Sequence, residues 1–255
     1  MHPVLIQVGD FAIATYGLLV AMGFGLGLWL AGRRAQAAGI PAEQVHNLGV
    51  WLIIAGMGGG KLFYILFFWP DFLAGWQAEG LRSLRQGFVF YGGFIGASLA
   101  GLFYTRAKRL AFLPLADVLA PSVALGHAFG RLGCFFNGCC YGKACDLPWA
   151  VQFPAGHVAH SYPVHPTQLY EVAGNLALFA GLSLYRPHRR FAGQIWWFYL
   201  GGYGALRFII EFFRGDYEHL YFGFLTLGHL IAAGLIGIAI AGHEWGCRAC
   251  RRRAS

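Results

Sequence analysis

The chain has 255 residues, of which 57% are hydrophobic and only 12% charged, with a formal net charge of +8. A mean hydropathy of +0.53 leaves too little polar surface for a water-soluble domain of that length and marks an integral membrane protein. The basic excess falls where membrane topology requires it, so no nucleic-acid partner is expected.

Seven apolar stretches are long enough to cross about 30 Å of hydrocarbon. They lie near residues 11–31, 47–68, 87–104, 110–130, 168–185, 193–213 and 221–241. Each is predicted to be a helix, because a spanning segment must satisfy its backbone internally. Met1 to Asp10 lacks a basic segment followed by a small-residue cleavage site, so the first span is expected to be retained. Residues 69–86 carry Trp69, Pro70, Trp76 and Arg82, a mixture suited to an arm lying at the membrane interface. Residues 132–167 combine glycines, cysteines and histidines with Pro148, Pro154, Pro163 and Pro166, which predicts a small irregular head outside the membrane. Residues 243–255 form a basic tail. The expected fold is therefore an all-α polytopic membrane protein: a single domain over 1–255 with seven transmembrane helices and an irregular periplasmic head.

Loops assigned alternately to the two sides sort the basic residues unequally. One side receives Arg33, Arg34, Arg106, Lys108, Arg109, Arg186, Arg189, Arg190, Arg248, Arg251, Arg252 and Arg253; the other receives Arg82, Arg85, Arg131, Lys143 and Arg214. The richer side is expected to be cytoplasmic, which places the N-terminus outside. Glycines recur within the spans, as at Gly56, Gly58, Gly59 and Gly60 and at Gly92, Gly93 and Gly96, and their plainest role is close helix packing.

Polar groups inside spans are costly, about 2.5–3.5 kcal/mol each for a charge at a helix centre, and are the functional candidates. They include Tyr16, Lys61, Tyr91, Asp117, His127, Arg131, Gln168, Glu171, Tyr203, Arg207, Glu211 and His229. Arg207 and Glu211 are four apart and share a helix face. Each cation alone has a plain reading: an internal ion pair for Arg207, or a side chain reaching to the interface for Arg131 and Lys61. Three cations in three spans are explained together by a site for an anion such as a phosphate.

The order of the motifs resembles the phosphatidylglycerol-prolipoprotein diacylglyceryl transferase family over nearly the whole chain. The resemblance rests on Thr15-Tyr16-Gly17, Gly58-Gly59-Gly60-Lys61, Phe90-Tyr91-Gly92-Gly93, and Gly130-Arg131-Leu132-Gly133 with Asn137, Gly138 and Gly142. It continues through His165-Pro166-Thr167-Gln168-Leu169-Tyr170-Glu171 and Tyr203-Gly204-Ala205-Leu206-Arg207-Phe208-Ile209-Ile210-Glu211 up to Arg214. It implies a bacterial inner-membrane enzyme, monomeric and free of cofactor or metal, whose central cavity opens sideways to the bilayer. There it would transfer the diacylglyceryl group of phosphatidylglycerol to the lipobox cysteine in the signal peptide of a prolipoprotein. Arg131 matches the family's signature arginine, which binds the lipid phosphate, and Arg207 its second essential arginine, near the reacting carbon. Tyr16, Asn137, Gly142, Tyr203 and Glu211 match other site positions, while His165, Gln168 and Glu171 match a motif expected to shape the outer wall. Lys61 and Arg214 are expected to contact substrate.

Three positions depart from the family pattern. Tyr91 stands where most members have the histidine of a His-Gly-Gly motif, and a phenol is a weaker base than imidazole. Cys134 replaces an asparagine and Cys139 an acidic residue. With Cys140 and Cys145 they put four cysteines in the outward head, where disulfides are expected and a metal site is not, since paired Cys-x-x-Cys knuckles are lacking. His157, His160 and His165 lack a matching carboxylate pattern, and Cys247-Arg-Ala-Cys250 offers half of a knuckle. The rival readings are a paralogue with another thiol acceptor, a thiol-disulfide oxidoreductase using the head cysteines, and a transporter or lipid-binding membrane protein without chemistry. The oxidoreductase gives no reason for the pair Arg131 and Arg207.

Overall fold

The computed structural model describes residues 4–8, 11–85, 87–155, 157, 159, 161–215 and 224–254. Among the described residues seven long helices overlap the seven expected stretches: α1 (Thr15–Gln36), α2 (Ala42–Phe67), α4 (Phe90–Ala107), α5 (Phe112–Asn137), α6 (Thr167–Tyr185), α7 (Gln194–Glu211) and α8 (Leu227–Ala254). Between α2 and α4 lies the short α3 (Trp69–Glu79), followed by a 3-10 turn over Gly80–Arg85. On length and composition, α1, α2, α5 and Leu227–Arg252 of α8 can each cross a membrane. Large apolar side chains stand outward on the helices: Phe67 is 70% exposed and Phe103 72%. In water that would be a liability; in a bilayer it is the lipid-facing surface.

Several boundaries differ from expectation, three of them in kind. The residues expected to open the first span are a strand, β2 (Phe11–Ala14), paired antiparallel with β1 (Val4–Val8) so that Ile6 faces Ile13 and Gln7 faces Ala12. Val4, Ile6 and Ile13 are β-branched and favour the pleat, and α1 begins only at the buried Thr15. The fourth span runs on to Asn137, seven residues past its expected limit at 130, because nothing in Arg131 to Asn137 breaks a helix until Gly138, whose φ of 79° ends it. The basic tail is helical too: α8 continues through it, with Glu244 and Arg248 paired one turn apart at 2.9 Å.

The chain forms two compact units, Gly32–Leu115, and Met1–Ala31 with Ala116–Ser255. In the first, α2 and α4 meet through glycine. A Cβ at Gly92 would lie 2.5 Å from the Gly59 carbonyl oxygen, and one at Gly93 3.0 Å from that of Gly56. Gly58 meets nothing within 4 Å, so not every glycine in the run serves packing.

In the second unit, Ala120, Ala124, Leu182, Ile195 and Tyr199 form a core. Beside it the buried Asp117 of α5 accepts the backbone N–H groups of Gly193 (2.7 Å) and Trp196 (3.0 Å) at the start of α7. A carboxylate there satisfies donors the helix cannot, and it opposes the positive end of the helix dipole. Asp117 is thus a cap supplied by a neighbouring helix, with Arg189 3.5 Å away. The head between α5 and α6 is tied by antiparallel bridges from Ala144 and Val151 to Val164, over a cluster of Phe153, Ala159, Val164 and Tyr141.

Candidate active site

Glu171, one turn into α6, is the hub of the second unit. Its side chain is 2% exposed, and its carboxylate meets Arg131 Nε of α5 at 2.8 Å and Arg207 Nη1 of α7 at 2.9 Å. Arg214 Nη1 is 3.9 Å away, and so is His127 Nε2. Arg207 turns its second nitrogen, Nη2, to Glu211 Oε2 at 2.7 Å, the i,i+4 pair read from the sequence. Glu211 in turn accepts the Thr226 hydroxyl at 2.6 Å, and the Thr226 N–H donates to His229 Nδ1 at 3.1 Å.

Burying one of these ions alone would cost several kcal/mol, and the arrangement avoids that by matching each cation to a carboxylate. It also does what no single pair could. Two like-charged guanidinium groups from different helices are brought together around one carboxylate, fixed before any substrate arrives. His127, one turn before Arg131, accepts from Arg131 Nε at 3.3 Å and packs its ring 5.0 Å from that of Tyr203. These contacts fix the arginine's orientation.

The His165 to Glu171 motif is not an outer wall throughout. Gln168 and Glu171 are both buried. Gln168 Nε2 donates to the Cys139 carbonyl at 2.7 Å, and Thr167 Oγ1 to that of Cys140 at 2.8 Å, so α6 holds the chain that leaves α5. His165 Nδ1 is 3.2 Å from the Tyr170 hydroxyl, which also accepts from Trp149 Nε1 at 2.8 Å. Gly142 is packed where only hydrogen fits: a Cβ would come within 2.6 Å of both His165 Cβ and the Phe213 carbonyl oxygen. Its N–H donates to the His165 carbonyl at 2.9 Å, and it bridges to Arg214. Gly142 therefore threads the head close to the arginines rather than contacting a ligand through a side chain. Tyr16, at the start of α1, is partly exposed and lies against Gly133, while Asn137 is exposed at the end of α5.

Lys61 and Tyr91 belong to the other unit. Lys61 Nζ donates to the Ser83 carbonyl at 3.1 Å and lies 5.0, 5.5 and 5.6 Å from the ring centres of Tyr64, Phe72 and Phe88. An aromatic cage of that kind accommodates the ammonium within its own unit and ties α2 to the arm. Tyr91, in the first turn of α4, is 55% exposed.

The four head cysteines, expected to be bridged, are free thiols. Cys134, Cys139 and Cys140 converge, with their sulfurs all within 4.8 Å of one another, and Cys145 is not part of that group. Cys140 is held well below the usual thiol range, chiefly by hydrogen bonds from the Cys134 and Cys139 thiols and then by the charges of Arg214 and Arg131, against the opposing effect of burial. His157 is a packing residue, stacked on Phe153 at 4.1 Å with Nε2 2.7 Å from the Gly138 carbonyl oxygen. His160 lies outside the described residues.

Two participants went without a role at the level of sequence. His127 was visible as a polar group in a span, and its i,i+4 spacing to Arg131 was the available signal. Thr226, just before α8, carried none, because its partner Glu211 lies 15 residues away at the end of α7.

The family model described as prolipoprotein diacylglyceryl transferase matches residues 3–245. The chain is 38% identical over 240 residues to the phosphatidylglycerol-prolipoprotein diacylglyceryl transferase of Bordetella parapertussis, covering 92% of this chain and 87% of that protein. The proteins of the same name from Clostridium tetani and Synechocystis are 36% and 34% identical, covering 85% and 95% of this chain and 86% and 88% of theirs. With the motifs carried on this helical framework, the chain belongs to the prolipoprotein diacylglyceryl transferase family.

Proposed function

We propose that the chain transfers the diacylglyceryl group of phosphatidylglycerol to the lipobox cysteine thiol of a prolipoprotein, at the arginines gathered around Glu171. The observation that carries this reading is the bridge from Arg131 through Glu171 to Arg207. In the reaction the cysteine sulfur attacks the terminal glycerol carbon of the diacylglyceryl group. The thiol gives up its proton to solvent, a carbon–sulfur bond forms, the carbon–oxygen bond to phosphate breaks, and its electron pair leaves on the phosphate oxygen as glycerol phosphate. Guanidinium groups fixed beforehand stabilise that developing charge without reorganising, in a site where water does not screen them. The same positive field favours the thiolate over the thiol of the incoming cysteine.

In this reading Arg131 and Arg207 bind the phosphate, and Glu171 and Glu211 position them. His127 and Tyr203 flank Arg131, while Tyr16, Asn137, His165 and Arg214 border the path of lipid or peptide; Lys61 is a substrate contact of its own unit. Tyr91 takes the position of the family's histidine. The seven long helices all span the inner membrane, and the unequal distribution of arginines sets the N-terminus and head in the periplasm and the tail in the cytoplasm. The enzyme acts as a monomer.

The test is mass spectrometry of a lipobox peptide incubated with the purified protein and phosphatidylglycerol. The expected products are a thioether-linked diacylglyceryl peptide and free glycerol phosphate. A peptide with serine in place of the cysteine should remain unmodified. An unmodified cysteine peptide from protein that melts cooperatively would refute the reading.

A further inference from the structure

We propose that Cys134, Cys139 and Cys140 form a binding site for one soft metal ion, monovalent copper, placed so that its occupancy bears on the arginine site. The site is made by the way α5 ends. The Gly138 N–H donates to the Phe135 carbonyl at 3.2 Å and the Cys139 N–H to that of Cys134 at 3.1 Å, with Gly138 in the left-handed region. This pattern sets the side chain one residue past the glycine against the one four residues before it, where helices usually place an apolar pair. Here both are thiols. Cys140, itself at a φ of 63°, turns a third sulfur into the same group.

Three sulfurs about 2.3 Å from a common ion in a plane stand about 4 Å apart. The observed group, within 4.8 Å, needs only small side-chain rotations to close on an ion. All three donors are sulfur, a set that selects soft ions. Zinc in a structural site takes a fourth ligand, whereas the group found among the described residues has three. On binding, the sulfurs that still carry protons release them to solvent and three sulfur–copper bonds form, with no change of oxidation state. The product carries two negative charges, and the positive groups at hand are of the sign that stabilises them: Arg131 one turn before Cys134 on α5, and Arg214 bridged to Gly142.

The surrounding chain is already fixed. Gln168 and Thr167, both buried, hold the carbonyls of Cys139 and Cys140. Cys134 lies one turn beyond Arg131 on α5, and Gln168 one turn before Glu171 on α6. An ion that draws the three sulfurs together therefore pulls on both helices that carry the arginine–carboxylate bridge. Only this coupling rests on the proposed transferase reaction; the binding itself does not.

The test titrates the reduced whole protein in detergent, without oxygen, with Cu(I) held by the chromophoric chelator bicinchoninate. The background carries Cys247→Ser and Cys250→Ser, so that the tail thiols do not compete. One copper per chain is expected to leave the indicator. Cys134→Ser, Cys139→Ser and Cys140→Ser should each weaken uptake about tenfold or more, and Cys145→Ser should leave it unchanged. No uptake, or uptake that survives Cys134→Ser, would overturn the site. Should a serine variant fail to fold, thiol mapping on the unsubstituted protein decides. Cu(I) should shield Cys134, Cys139 and Cys140 from N-ethylmaleimide but not Cys145; equal labelling of all four with and without copper would overturn the proposal.

Discussion

Replacing Glu171 by glutamine tests the hub with the smallest change of shape. The side chain keeps one carbonyl oxygen for a hydrogen bond but loses the charge that meets Arg131 at 2.8 Å and Arg207 at 2.9 Å. At an effective dielectric of about 20, opposite charges some 4 Å apart attract by about 4 kcal/mol. Removing one partner of a buried pair typically costs about 3–5 kcal/mol, because the other charge is left without compensation. A loss of about 3 kcal/mol in a chain of this length lowers the midpoint of thermal unfolding by about 6–12 °C. Glu244→Gln is the control. Its partner Arg248 is as close, 2.9 Å, but both are exposed, and such a pair is worth about 0.3–0.5 kcal/mol. The assay is thermal unfolding in detergent followed by tryptophan fluorescence, with the adduct rate measured well below the midpoint. Glu171→Gln should fall in both, since arginines that repel one another no longer hold a fixed geometry for phosphate. An unchanged midpoint and an unchanged rate would refute the hub.

Four further outcomes follow from other parts of the molecule. Gly92→Ala should destabilise the protein by about 1–3 kcal/mol, because its methyl would press on the Gly59 carbonyl oxygen at 2.5 Å. Gly58→Ala, which meets nothing, should be neutral or stabilising by up to about 1 kcal/mol in the same melt. Asp117→Ala removes the cap of α7 and should lower stability by about 1–2 kcal/mol while leaving the KM for phosphatidylglycerol unchanged. Tyr91→His should keep or raise the adduct rate if this position serves as the family's histidine does. An abolished rate with an unaltered melt would show that it serves otherwise.

The helices were legible because about 20 apolar residues in a row admit few alternatives in a bilayer. Their ends were not, since hydropathy does not distinguish Phe11–Ala14 as a strand from the same residues as the start of a span. Likewise, the polar residues after Gly130 looked like a head although α5 carries them to Asn137. Within the site, Arg207 and Glu211 could be paired from their spacing because both are on α7. Glu171 could not be seen as the hub, because its partners are 40 residues upstream on α5 and 36 downstream on α7, and only tertiary packing brings them together. The cysteine cluster was hidden for a different reason. A search for Cys-x-x-Cys knuckles passes over a spacing of five and six, which becomes a contact only once Gly138 reverses the chain. Lys61 shows another limit: that its ammonium lies against the rings of Tyr64, Phe72 and Phe88 follows from the packing of its own unit and from no motif.

The central claim, that paired guanidinium groups carry the reaction, is tested most directly by Arg131→Lys and Arg207→Lys. Lysine keeps the positive charge opposite Glu171 and so spares the fold, but it replaces a planar fork by a point charge. The rate of diacylglyceryl adduct formation on a lipobox peptide, at saturating phosphatidylglycerol, should fall by about a hundredfold or more in each variant, with the melting midpoint little changed. Full activity in either variant would contradict the account.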